Sequence, residues 1–138
     1  MPRNISPIHT PYGPWAPFRK KITYAVENTV IDIARFPAYS FVMVGGVHVL
    51  TAFNDSGTDT LDVGFRDGSS TDDPNGIATL LTISAVGNIV FDELAATTNI
   101  IQTKPWILTC TYNGENNNAT AGVAYVWGIV NVGPYDGQ

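Results

Sequence analysis

Charge is scarce in this 138-residue chain. Asp, Glu, Lys and Arg make up 14% of it, well under the usual quarter or so, which leaves much of the surface to neutral side chains and suits a protein covered by neighbours. Cysteine is scarcer still. Cys110 stands alone, which excludes an intrachain disulfide and any zinc site built on several thiolates. It lies in the apolar run Trp106 to Tyr112 and reads as a small buried hydrophobe. His9 and His48 are the only histidines, so nucleophilic catalysis would need one of them as its base. His9 sits among prolines, where rigid positioning is hard to achieve. His48 lies between Val47 and Val49 in a strand pattern and reads as structural. No run of 18 apolar residues exists, so no membrane span and no membrane partner is expected. Met1-Pro2-Arg3 is followed by no apolar segment, so no secretory signal is expected and synthesis in a cytosol is expected.

Chemical motifs are missing too. No G-x-S-x-G elbow occurs, and Gly45-Gly46 within an apolar run is not a phosphate loop. Asp55, Asp59 and Asp62 crowd one connection, but Asp-rich turns ordinarily cap strands through Asx-turns. The oxygen-rich stretch Asp67 to Asp73 does not match EF-hand spacing. The expectation is therefore no enzyme, no catalytic residue, no cofactor and no metal.

What the chain does have is strand patterning. Sustained 3.6-residue periodicity is lacking, and only Asp92 to Ala96 reads as a helical turn. Strands are expected at Ile22–Val26, Val30–Arg35, Phe41–Phe53, Asp59–Phe65, Ile77–Ser84, Asn88–Phe91, Trp106–Tyr112 and Thr120–Val132. Turn signals at Asp67-Gly68, Asn75-Gly76 and Asn113-Gly114 punctuate them. Eight short strands predict an all-β, antiparallel β-sandwich, with the jelly roll matching the count best. Val47, Val49 and Thr51 share one strand face; Leu61, Val63 and Phe65 share one in the next strand. With Asn54-Asp55-Ser56-Gly57 between them, this pair reads as a β-hairpin. The glycines at 45, 46, 122 and 128 predict bulges or bends. Trp106 and Trp127 read as core residues.

Residues 1–21 stand apart as an extended Pro-rich arm, with residues 22–138 as the sandwich domain. The arm holds Pro2, Pro7, Pro11, Pro14 and Pro17, five of the nine prolines, a density that favours extended chain. It also holds Arg3, Arg19, Lys20 and Lys21 and no acid, whereas the remainder carries three bases and all twelve acids. An acidic body repels phosphates, so no nucleic-acid partner is expected. A basic arm with aromatic anchors predicts an interface made by Tyr12, Trp15, Phe18, Arg19, Lys20 and Lys21. Its expected partner is an acidic protein surface, including that of a sister subunit in a homo-oligomer, dimer or trimer.

One string adds a family. The segment Thr51 to Gly64, T-A-F-N-D-S-G-T-D-T-L-D-V-G, resembles one that recurs in small structural proteins of tailed bacteriophages, above all head decoration (cement) proteins. The resemblance implies a jelly-roll virion protein on the capsid exterior. It would bind the assembled shell and bridge neighbouring major capsid protein subunits without chemistry. The alternative is a carbohydrate- or receptor-binding β-sandwich module of a phage tail or fibre, because similar strings occur there too.

Overall fold

A computed structural model describes residues 15–67, 72–95 and 103–132. Eight strands alternate between two four-stranded antiparallel sheets. They are β1 (Trp15–Thr23), β2 (Val30–Phe36), β3 (Phe41–Thr51), β4 (Asp59–Arg66), β5 (Asp73–Thr82), β6 (Gly87–Val90), β7 (Trp106–Gly114) and β8 (Val123–Asn131). The first sheet runs β1-β8-β3-β6 and the second β2-β7-β4-β5. Successive strands change sheet at every step except β4 to β5, so two Greek keys are wound together. This is a jelly roll, an all-β sandwich as the strand count predicts. Among the described residues the helical content is one 3₁₀ turn, Tyr24–Val26, and residues 92–95 form no helix.

The strand faces follow period-2 burial. Leu61, Val63 and Phe65 of β4 face Trp106, Leu108, Cys110 and Tyr112 of β7 on the inner side, and Val47, Val49, Ala124, Val126 and Val130 line the opposing sheet. Phe18, Phe36, Phe65 and Trp106 form an aromatic cluster with centroid separations of 5.1 to 6.3 Å. Tilted and edge-on contacts of this kind suit the ring quadrupoles.

Three expectations are corrected. The alternation around Asn54 to Gly57 is present, but β3 and β4 are not a hairpin. β3 pairs with β6 and β8, and β4 with β5 and β7, so the connection crosses from one sheet to the other. Second, the strand expected at Ile22–Val26 begins at Trp15. Residues 15–21, read as the last third of the arm, pair with β8 from Trp15↔Asn131 to Lys21↔Tyr125. Burial of Phe18 and Ile22 at inward positions outweighs the extended preference that proline confers, and Pro17 is tolerated because β1 is an edge strand. Third, the register shifts of β3 against β8 fall between Val42 and Val44 and between Val49 and Thr51, not at the glycine pair. Tyr12 lies outside the described residues.

Candidate functional site

The Asp-rich connection is a structural clamp. Asn54 accepts the backbone N–H groups of Thr120 (2.8 Å) and Ala121 (2.9 Å) and donates to the Thr120 hydroxyl (3.0 Å). Asp55 accepts from Gly57 (2.7 Å), closing an Asx-turn, and from Asn116 and Asn118 (3.1 Å each). Asp59 accepts the backbone N–H of Asp55 and the phenol of the buried Tyr112. The crossover is thereby tied to residues 116–121, more than 60 positions along the chain. Burial pushes the Asp55 carboxyl up, but the hydrogen bond shared with Glu27 and the N–H groups of Gly57, Asn118 and Asn116 outweigh it and hold Asp55 well below the usual carboxylate range. Burial and the same contact with Asp55 push Glu27 up. Each oxygen of Asp55 is occupied by the fold, so these carboxylates serve to fix loops.

A second polar spot is a cleft of about 160 Å³ against Arg35, Arg66, Asp67, Pro105 and Ile107. There the Arg66 guanidinium donates to both Asp32 oxygens, at 3.2 and 2.6 Å. Its charge is satisfied within the sheet.

The outer faces of the two sheets differ sharply. On the second sheet most outward positions are polar, among them Asp32, Thr60, Asp62, Arg66, Thr82, Thr111 and Asn113, with Val30 exposed beside them, the face normal for one side of an antiparallel sandwich. On the first sheet the centre of the face is apolar. Cross-strand rows place Pro17, Ile129 and Val44 side by side, then Arg19, Trp127, Gly46 and Val90, then Lys21, Tyr125, His48 and Asn88. Val44 and Val90 are 42% and 63% exposed, and Met43, Leu50 and Trp15 are exposed as well. None of β1, β3, β6 and β8 contains an Asp or Glu, while β1 carries Arg19, Lys20 and Lys21. Arg19 lies 3.8 Å over the Tyr125 ring, a cation–π contact that spreads the guanidinium along the face. Trp127 donates its indole N–H to Asn88 at 3.2 Å.

The residues predicted for an arm interface separate in the fold. Trp15, Arg19 and Lys21 occupy outward positions of β1, whereas Phe18 is buried against Phe36 within its own domain. Lys20 is half-buried at an inward position on the edge strand. Trp106 is core, as read from the sequence; Trp127 is not, and stands half-buried on the outer face. The face formed by Val44, Val90, Tyr125, Trp127 and Ile129 went unrecognised in the sequence. Its signal is the near-continuous apolar run of β8, where Tyr125, Trp127 and Ile129 alternate with Ala124, Val126 and Val130. A strand apolar at both parities is one with both faces covered.

No protein-family model matches this sequence, and no curated protein matches it. Two solved structures share the fold. One is a chain of the acidic stable capsid structure of Helicobacter pylori bacteriophage KHP30, with a TM-score of 0.61 and 14% identity, covering 84% of this chain and 86% of that one. The other belongs to the capsid asymmetric unit of cyanophage Pam1, with a TM-score of 0.58 and 13% identity, covering 94% and 93%. The likeness is one of fold: this chain is similar over most of its length to jelly rolls found in two bacteriophage capsids.

Proposed function

We propose that this chain is a structural protein of a bacteriophage virion that binds the assembled capsid shell from outside and stabilises it by bridging major capsid subunits, as a decoration or cement protein. The observation that carries the reading is the fold shared, over nearly the whole chain, with chains of two phage capsids. The role needs no chemistry. A protein that binds the assembled lattice and not the dissociated subunits stabilises the lattice by mass action. In this reading the chain is not an enzyme, is made in the host cytoplasm, and meets the major capsid protein and its own copies on the shell. Sedimentation with purified empty heads tests it. Saturable co-pelleting at a stoichiometry set by the lattice supports it; failure to pellet with heads of the virion that carries the chain overturns it.

A second reading, a carbohydrate-binding module of a tail or fibre, draws on the aromatic outer face. Trp127 and Tyr125 are placed as sugar-stacking platforms are, although Arg19 already covers one side of the Tyr125 ring. Retention on immobilised glycans without binding to heads would favour this reading over the first.

A further inference from the structure

We infer that the outer face of the first sheet is the surface through which the protein docks, and that its occupant is an acidic surface of another protein; this deepens the capsid-binding reading and rests on it. The face combines two properties. Its centre is apolar, from Val44 and Val90 through Trp127 to Ile129, and its β1 edge is basic through Arg19 and Lys21. The four strands hold no acid, while the second sheet carries Asp32, Asp59, Asp62 and Asp73. An apolar centre with a charged rim is the usual anatomy of a protein interface, and the rim's sign selects a partner of opposite sign.

The sign also argues against a second copy as the occupant. Two such faces packed together would join two basic, acid-free surfaces. Contact with the acidic side of another copy fares little better, because those carboxylates are engaged at home. Asp32 holds Arg66, Asp55 holds three backbone N–H groups, and Asp59 holds Tyr112. Asp62 holds the Leu80 N–H and Asn113, and Asp92 holds the Thr79 N–H. Arg19, although laid over Tyr125, keeps its guanidinium edge available to a carboxylate.

The test uses the full chain and heads assembled without it from the virion that carries it. The double variants Val44→Asp/Val90→Asp and Arg19→Glu/Lys21→Glu are compared with Val30→Asp, the same chemistry on an exposed position of the second sheet. All substituted positions are outward, so the fold is expected to persist, and circular dichroism of each variant verifies it. The aspartate pair is expected to lower affinity for heads by at least tenfold. The glutamate pair should lower it severalfold and remove most of its dependence on salt, and Val30→Asp should leave it unchanged. Wild type and all variants pelleting alike would overturn the docking face while leaving capsid binding intact. Failure of the wild type itself to pellet overturns the capsid-binding reading, and this inference with it. If instead the face variants turn an oligomer of the free protein into a monomer, the occupant is a second copy and the acidic foreign partner is wrong.

Discussion

Gly45 and Gly128 face each other across β3 and β8, and each leaves an inward gap filled by a phenyl ring. Phe91 lies over Gly45 and Phe18 over Gly128. A Cβ on Gly128 would stand 2.5 Å from the tip of the Phe18 ring and 2.7 Å from the Val44 carbonyl oxygen; one on Gly45 would meet Phe91 at 2.5 Å and the Trp127 carbonyl oxygen at 2.6 Å. The sheet can therefore approach its aromatic core more closely at this pair than a side chain would allow. Gly128→Ala and Gly45→Ala should each cost about 1–3 kcal/mol, the range for overpacking, because each ring can shift but the carbonyl oxygen of the paired strand cannot. Urea denaturation of both variants measures the losses, and negligible ones would show that rings and strands are loosely held.

The clamp makes a prediction about acid. Asp55 titrates below its unfolded value of 3.8, so its stabilisation is complete above that value and is lost as pH falls through the lower folded value. Glu27 acts in the opposite sense. Its folded value lies above 4.5, so its contribution is present below 4.5 and fades as pH rises through the raised value. Asp55→Asn should therefore lower Tm at neutral pH, by on the order of 5 °C, and the gap from wild type should close as pH falls well below 3.8. Thermal melts across that range check this. A gap that stays constant down to the acid limit would mean that the Asp55 charge contributes nothing.

Cys110 should be inert in the folded protein. It is 1% exposed, and burial pushes its thiol up to about 12 against a small opposing pull from Lys20, so almost no thiolate exists at pH 8. Labelling with a thiol-reactive chromogen should follow global unfolding, rising steeply with urea. Rapid labelling in native buffer would show that β7 opens locally.

Where local pattern and final environment agree, the fold was legible in the sequence. β4 and β7 alternate cleanly, and both strands are where the period-2 rule puts them. Residues 15–21 of β1 were missed because proline density argues for an open extended chain, and only pairing with β8, more than 100 residues away, reveals a strand. The supposed hairpin failed for the same kind of reason. Asn54 to Gly57 carry turn chemistry, but their partners at Asn116, Asn118 and Thr120 are set by tertiary contact and leave no local trace. The apolar outer face was hidden by a reasonable assumption, that Trp127 in an apolar run must be core. The β8 pattern contained the correction, since one strand cannot bury both parities inside a single two-layer sandwich.

The division of the N-terminal region yields the last prediction. Residues 15–21 belong to the sheet, where Phe18 touches Phe36 and fills the gap at Gly128. Losing a buried phenylalanine alone costs about 3–5 kcal/mol, against a total stability of roughly 5–15 kcal/mol for a domain of this kind. Removing residues up to Lys21 would also strip β8 of its edge partner along seven of nine residue pairs. A chain beginning at residue 22 is therefore expected to fail to fold cooperatively, whereas one beginning at Trp15 should melt close to the full chain. The second truncation then isolates what residues 1–14 do. With the fold intact, weaker binding to heads would assign them the contact role proposed for the arm, and unchanged binding would leave docking to the sheet face alone. A chain beginning at residue 22 that shows a full cooperative transition would contradict the role of β1 in closing the core.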